Sequence, residues 1–144
     1  LVKLKREKPE FKNLKYKKIL SYLSKMDNSK SDIALVSNKR LLETGTSNLL
    51  FVKDQKFFTP KKDYYQGNTY KFFKTKIKNI IKKDILLKEI KKYDEILLIG
   101  SGKGVASVRT INEIKWKRKN LEKFNILSKH YHAVMNKCNS YKFK

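Results

Sequence analysis

One segment organises this sequence: Glu43-Thr44-Gly45-Thr46-Ser47-Asn48-Leu49-Leu50-Phe51. Before it, Leu35-Val36 leads into a polar turn at residues 37–39, and after it a second polar turn follows at residues 53–56. Short apolar runs that are bounded by such turns predict an antiparallel meander. In this meander a single carboxylate, that of Glu43, meets several small hydroxyl side chains at one strand junction, where it could take part in specific chemistry.

The length and composition predict one folded domain. The 144 residues are 40% hydrophobic and include eight Tyr and eight Phe, which is too apolar and too aromatic for a disordered chain. The formal net charge of +23 favours an anionic partner, but only four of the 36 basic residues are Arg. We therefore interpret the charge as a Lys-rich solvated surface. A basic module that binds RNA or another polyanion is the competing hypothesis from a different class of protein.

The sequence offers little for a disulfide, a metal site or a membrane. Cys138 is the only cysteine, and His130 and His132 lie two residues apart on a predicted helix, so they point to different faces. The longest apolar runs, such as Ile96–Ile99, are too short to cross a bilayer, and no signal peptide opens the chain. We expect a cytoplasmic protein without a metal ion, a membrane association or a dedicated nucleic-acid partner.

Residues 43–51 closely resemble the E-G-x-x-S-N-hydrophobic-F segment of the fold-type IV, pyridoxal-phosphate-dependent aminotransferases. This family includes the branched-chain and D-amino-acid aminotransferases and 4-amino-4-deoxychorismate lyase. Its glutamate pairs with the protonated pyridine nitrogen of the cofactor, and the resemblance implies this role for Glu43. Such a carboxylate keeps the ring nitrogen protonated, so that the ring can accept electrons from the substrate. The alternative for Glu43 is an exposed carboxylate at a strand end.

A second resemblance lies upstream, in Phe11-Lys12-Asn13-Leu14-Lys15-Tyr16. It is similar to the segment that carries the Schiff-base lysine in the lyase and D-amino-acid branches of the family, which implies that Lys12 is the catalytic lysine. Its amine would then move the α proton of the substrate, provided that its pKa is lowered. Tyr16 is implied to lie near the phenolic oxygen of the cofactor. Without the resemblance, Lys12 is one surface lysine among 32.

Two further segments resemble the phosphate site of the family. Gln66-Gly67-Asn68-Thr69-Tyr70 is similar to a P-G-I-T-R helix start, which implies that Asn68 and Thr69 bind the cofactor phosphate, and Ser101 falls where the family has a third contact. Asn68 or Thr69 could instead be a simple helix N-cap. The glycines of residues 100–104 could also suggest a Walker loop or a dinucleotide fingerprint, but their spacing and late position disfavour both.

The resemblance implies an α+β fold, a D-amino-acid aminotransferase-like large domain with a mixed or antiparallel sheet wrapped by helices. We divide the chain into an opening segment, residues 1–10, and a C-terminal pyridoxal-phosphate-binding domain, residues 11–144. Helical spacing predicts helices over about 14–25, 86–92 and 116–137, and a further helix from residue 66 whose apolar face is Tyr70, Phe73, Ile77, Ile80 and Ile81.

The function implied by the resemblance is that of a pyridoxal-phosphate-dependent 4-amino-4-deoxychorismate lyase, which forms 4-aminobenzoate and pyruvate for folate biosynthesis. The alternative within the family is a branched-chain or D-amino-acid aminotransferase. The smaller N-terminal domain of the family has no counterpart in these residues. We therefore expect the chain to be the cofactor-binding half of a longer, homodimeric enzyme that acts on a small-molecule substrate. By itself this half is expected to turn over substrate negligibly.

Overall fold

Eleven strands and three α-helices make up the part of the chain that the computed structural model describes, residues 1–11 and 15–137. In chain order the elements are β1 (Val2–Lys3), α1 (Lys17–Leu23), β2 (Ala34–Ser37), β3 (Arg40–Thr44), β4 (Asn48–Lys53), β5 (Lys56–Pro60), α2 (Asn68–Lys76), β6 (Ile80–Lys83), β7 (Ile85–Leu86), a 3₁₀ helix (Leu87–Lys92), β8 (Glu95–Gly100), β9 (Gly104–Ser107), β10 (Thr110–Ile111), a short 3₁₀ helix (Asn112–Ile114), β11 (Trp116–Lys117) and α3 (Glu122–Met135).

The strands form two main sheets and one short ribbon. The first sheet has the order β1-β2-β3-β7, the second has the order β6-β5-β4-β8-β9, and β10 pairs with β11. Most neighbours are antiparallel, but β1 pairs with β2, and β5 with β6, in parallel. Helices α2 and α3 pack on the second sheet, and α1 packs beside β2. The prediction of an α+β fold with a mixed sheet and flanking helices is therefore confirmed.

The two predicted polar turns are also confirmed. Asn38 and Lys39 join β2 to β3 with φ of 48° and 60°, and Asp54 and Gln55 join β4 to β5 with φ of 49° and 63°. A positive φ at both central residues is typical of type I′ turns, whose twist matches that of the flanking strands. Each turn closes a hairpin, one in each sheet.

The single meander predicted around residue 43 is wrong, because β3 and β4 belong to different sheets. Between these strands the Thr44 N–H donates to the Ser47 carbonyl over 2.9 Å, and the Ser47 N–H donates to Thr44 Oγ1 over 2.8 Å. These hydrogen bonds replace ladder pairing and close a tight connection. The chain leaves the first sheet after Thr44, one residue beyond Glu43, and enters the second sheet at Asn48.

The strands β4 and β8 are buried on both faces, as the near-continuous apolar runs of their sequences require. Alternate side chains join the core that the second sheet shares with the first: Leu49, Phe51, Ile96 and Leu98. The side chains between them join the core that packs beneath α2 and α3: Leu50, Val52, Leu97 and Ile99. The second sheet therefore forms the middle layer of the domain.

Two predicted helices differ from the observed elements. Helix α2 ends at Lys76, because Ile77 is extended with ψ 114°, and Ile80 and Ile81 pair with β5 as part of strand β6 rather than continuing the helix. The terminal helix begins at Glu122, not near residue 116. Trp116 lies in β11 instead, where its indole N–H donates to the Tyr93 carbonyl over 3.0 Å.

Helix α3 is fixed to the second sheet at two places, its first turn and Tyr131. At its start, the buried Glu95 carboxylate accepts the backbone N–H groups of Lys123 and Phe124 over 2.8 and 2.9 Å. Further along, the Tyr131 ring lies so close to Gly104 that a Cβ there would be 2.6 Å from it. Gly104 also has φ +61°, so both its conformation and its surroundings favour glycine. Within residues 1–11 and 15–137 no helix has the length and apolar character to cross a membrane.

Candidate functional site

A cavity of about 380 Å³ opens where the two sheets meet, a size typical of small-molecule sites. Its walls come from α1, from the β3–β4 connection, from the start of α2 and from the turn after β8. Four of the residues predicted from sequence to contact a cofactor line this cavity: Tyr16, Glu43, Asn68 and Ser101. The structure therefore brings together side chains that are up to 85 residues apart in the sequence.

Glu43 supplies a buried carboxylate to one end of the cavity. Its exposed fraction is 3%, so the alternative of an exposed strand-end carboxylate is wrong. One carboxylate oxygen accepts the Arg6 Nε–H over 2.9 Å, and the other accepts the Tyr65 backbone N–H over 3.3 Å. Burial raises the pKa of the Glu43 carboxyl, and the hydrogen bond and charge of Arg6, together with the Tyr65 N–H, counteract part of this rise.

Arg6 is a site residue that the sequence analysis missed. Its guanidinium pairs with Glu43 and lies over the Tyr16 ring, 5.2 Å from the ring centre, so Tyr16 holds it by a cation–π contact. The ion pair is almost fully desolvated, so the loss of either partner would leave an uncompensated charge. The signal in the sequence was the rarity of Arg: in a chain that uses Lys almost everywhere, an isolated Arg marks a position that needs a directed guanidinium.

The part of the cavity wall at the turn after β8, which we call the Ser101 end, is built from neutral donors. Thr69 Oγ1 and Ser101 Oγ lie 3.2 Å apart, where the first turn of α2 meets the turn after β8. The first backbone N–H groups of an α-helix have no partner within the helix, and the helix dipole favours an anion there. The N-cap of α2 is Gly67, without a side-chain cap, so the N-cap alternative for Asn68 and Thr69 is wrong.

Asn48, which the sequence analysis had not selected, connects the two ends of the cavity. Its Oδ1 accepts the Gly67 N–H over 3.0 Å, and its Nδ2 donates to the Tyr65 carbonyl. The same segment therefore presents the Tyr65 N–H to Glu43 and begins helix α2. The signal in the sequence was a buried amide at the start of an otherwise apolar strand, because a buried polar side chain needs partners.

The glycine-rich turn brings Ser101 against the β3–β4 connection. A Cβ at Gly100 would lie 2.8 Å from Ser47 Oγ and 3.0 Å from the Thr46 carbonyl, so only glycine allows this approach. The turn joins the antiparallel strands β8 and β9. A Walker loop or a dinucleotide fingerprint requires a strand followed by a helix, so both of these alternatives are wrong.

Lys12, the predicted catalytic lysine, lies outside the described residues, as does Cys138. Phe11 and Tyr16, on either side of the gap at residues 12–14, both line the cavity. The role of Lys12 stays a prediction.

Solved structures with the same fold are numerous. A 4-amino-4-deoxychorismate lyase from Pseudomonas aeruginosa is 19% identical, with a TM-score of 0.75 over 89% of this chain and 50% of that one. A fold IV transaminase from Curtobacterium pusillum is 19% identical, with a TM-score of 0.70 over 89% and 45%. A hypothetical aminotransferase from Mycobacterium tuberculosis, in its pyridoxal-phosphate-bound form, is 17% identical, with a TM-score of 0.68 over 88% and 46%.

These similarities establish the fold as that of the fold-type IV transaminases. The sequence model of the family described as "Amino-transferase class IV" matches residues 2–111, and the chain belongs to that family. It spans about half the length of the solved structures that it resembles. None of the curated protein sequences is significantly similar to it.

Proposed function

We propose that this chain binds pyridoxal phosphate and that the whole protein is a 4-amino-4-deoxychorismate lyase. The observation that carries the proposal is the arrangement of polar groups in one cavity, with a carboxylate in one part and hydroxyl groups in another. A buried carboxylate, Glu43, lines the cavity at β3, and the Ser101 hydroxyl lines it at the turn after β8, 3.2 Å from Thr69 Oγ1 in the first turn of α2.

The donor chemistry of the cavity fits this cofactor. A protonated pyridine nitrogen needs an anionic acceptor, which Glu43 provides. A phosphate needs several N–H and O–H donors, and Ser101, Thr69 and the first turn of α2 offer these together. The chain therefore carries complementary groups for both polar ends of the molecule.

When bound, the cofactor supplies an electron-accepting ring and an aldehyde that can condense with amines. Glu43 holds the proton on the ring nitrogen, and Arg6 maintains the negative charge of Glu43 against the effect of burial. Tyr16 orients Arg6 through its ring. Lys12, by the family resemblance, moves the proton at the α carbon of the substrate.

The short spacing from Lys12 to Tyr16 resembles the lyase and D-amino-acid branches, and it supports these two over the branched-chain aminotransferases. A branched-chain or D-amino-acid aminotransferase is the alternative within the same family. We propose further that the rest of the protein supplies the second wall of the pocket and that the enzyme is a homodimer. The 144 residues alone should then bind the cofactor weakly, because water is not excluded.

The test uses the whole protein. Incubation with pyridoxal phosphate should give an imine absorbance band, which borohydride should fix on Lys12. A Lys12→Ala variant should lose the band, and Lys18→Ala, at an exposed lysine of α1, should keep it. A peptide map with the label elsewhere would contradict the assignment of Lys12.

The reaction is tested by a coupled assay of the same protein. Release of pyruvate and 4-aminobenzoate supports the lyase, and amino transfer to 2-oxoglutarate supports the aminotransferase. RNA binding that survives physiological salt, without any uptake of pyridoxal phosphate, would favour the polyanion-binding hypothesis instead, since binding by counterion release weakens steeply with salt.

A further inference from the structure

Another buried carboxylate, that of Asp32, lies against the β3–β4 connection and has no part in the function proposed above. Its side chain is 4% exposed. One oxygen accepts three side-chain donors: Lys103 Nζ over 2.8 Å, Thr44 Oγ1 over 2.9 Å and Thr46 Oγ1 over 2.6 Å. The other oxygen accepts the Ile33 N–H over 2.8 Å. Asp32 is therefore fully engaged.

The donors to Asp32 come from both sheets. Thr44 directly follows Glu43 at the end of β3 in the first sheet, whereas Lys103 lies in the β8–β9 turn of the second sheet, two residues after Ser101. Through Thr44, the Asp32–Lys103 ion pair thus connects the strand that carries Glu43 to the turn that carries Ser101. Among the lysine ion pairs formed within residues 1–11 and 15–137, it has the least exposed carboxylate.

The position of the turn is limited from two sides. The ion pair draws the turn toward the first sheet, and the Gly100 backbone already meets Ser47, so the turn cannot move closer. A ligand with a ring nitrogen at one end and a phosphate joined to the ring by a short CH₂–O link has a limited reach. It can satisfy Glu43 and Ser101 together only when the two sheets are held at the right spacing.

We propose that Asp32 and Lys103 are positioning residues, which set the distance between the Glu43 end and the Ser101 end of the cavity and so tune the cavity to the phosphorylated form of its ligand. The inference rests on the proposed function. It assigns to Lys103 a role that does not involve contact with the cofactor.

The experiment compares binding of pyridoxal phosphate with binding of pyridoxal, which has no phosphate, by the whole protein. Lys103→Met removes the ion pair and keeps the aliphatic chain. It should weaken binding of pyridoxal phosphate about tenfold, the scale seen when a residue that hydrogen-bonds to a metal ligand is replaced. Binding of pyridoxal should change much less. Lys103→Arg should restore most of the lost affinity. The matched control is Lys119→Met, which removes the Lys119–Asp94 pair (2.7 Å) at the opposite end of β8 and should change neither affinity.

Two further measurements separate the proposed positioning role from a loss of folding, and neither requires enzyme activity. The double variant Asp32→Asn/Lys103→Met leaves no unpaired charge, so it should fold, as circular dichroism will show, and should lose the same selectivity for the phosphorylated ligand. Hydrogen exchange without ligand should be faster at residues 100–104 in Lys103→Met than in Lys103→Arg.

Each outcome has a definite meaning. An equal loss of affinity for pyridoxal phosphate and pyridoxal, or no loss in Lys103→Met, overturns this inference and leaves the proposed function standing. A wild-type protein that binds neither ligand overturns the proposed function and this inference with it.

Discussion

The two ends of the cavity differ in charge and in the groups that form them. The Glu43 end keeps a charge inside the protein through donors that come from distant parts of the sequence: the Arg6 guanidinium in the opening segment and the Tyr65 backbone N–H beyond β5. The Ser101 end holds no charge of its own and combines two hydroxyl groups with the backbone of α2. The first end should therefore depend strongly on a few side chains, while the second should tolerate substitution.

The largest effect is expected from Glu43→Gln. The amide cannot balance Arg6 or attract a protonated ring nitrogen, and the loss of one partner from a buried charge pair costs about 2–5 kcal/mol. Binding of pyridoxal phosphate by the whole protein should weaken by at least about 30-fold. Equilibrium dialysis measures this, with circular dichroism to show that the variant is folded. A loss smaller than that of the hydroxyl variants below would reverse the comparison between the two ends.

A smaller effect, with a definite pH dependence, is expected from Arg6→Met. Burial already raises the pKa of Glu43, and without Arg6 the pKa rises further. Because the ionised carboxylate is the form that binds the ring nitrogen, affinity should be lost at acidic pH and recover as the pH rises. The slope should approach tenfold per pH unit below the new pKa.

The measurement is a titration of cofactor affinity between pH 5 and pH 9. Arg6→Lys, which keeps the charge, should shift the midpoint less than Arg6→Met does. Identical pH profiles for the wild type and Arg6→Met would show that Arg6 does not maintain the charge of Glu43.

The contact between the two ends can be tested with a pair of glycines. Gly100→Ala introduces a Cβ only 2.8 Å from Ser47 Oγ, whereas Gly102→Ala has no atom within 4 Å of its new Cβ. The first change should lower stability by about 1–3 kcal/mol through overpacking, and the second should be nearly neutral. Thermal unfolding of both variants measures the difference. Equal melting temperatures would mean that the turn is free to move away from the connection.

The smallest effects are expected at the hydroxyl end. Ser101→Ala and Thr69→Val each remove one neutral hydrogen-bonding group, which is worth about 0.5–1.5 kcal/mol, so affinity for pyridoxal phosphate should fall roughly two- to tenfold. Affinity for pyridoxal should not change. A hundredfold loss in either variant would show that this end depends on its side chains as strongly as the other end does.

The sequence allowed the local motifs to be found but not their long-range partners. Glu43, Thr69 and Ser101 could be selected because each lies in a short segment with its own pattern. The structure brings Glu43 and Ser101 to one cavity and places Thr69 in contact with Ser101. The sequence does not reveal that Arg6 pairs with Glu43, 37 residues away, because 36 basic residues are candidate partners for each carboxylate. The Asp32–Lys103 pair was missed for the same reason.

The errors in the fold have a similar origin. Ile80 and Ile81 continue the helical spacing of Tyr70, Phe73 and Ile77, yet they pair with β5, because the extended Ile77 ends the helix. Nothing in the apolar runs of β3 and β4 indicates that a three-residue connection carries the chain between sheets. In both cases the structure is set by pairing between distant strands, which the spacing of apolar residues along the sequence does not indicate.

The contacts that fix α3 to the second sheet affect the order in which parts of the chain can fold during synthesis. The β2–β3 hairpin needs only neighbouring residues, so it can close early in synthesis. The buried carboxylate of Glu95, by contrast, receives its hydrogen bonds from Lys123 and Phe124, and the Tyr131 ring covers Gly104 from the same helix. Residues up to Tyr131 must therefore leave the ribosome before α3 can support the turn that carries Ser101, so this side of the cavity is completed after the hairpin that carries Glu43.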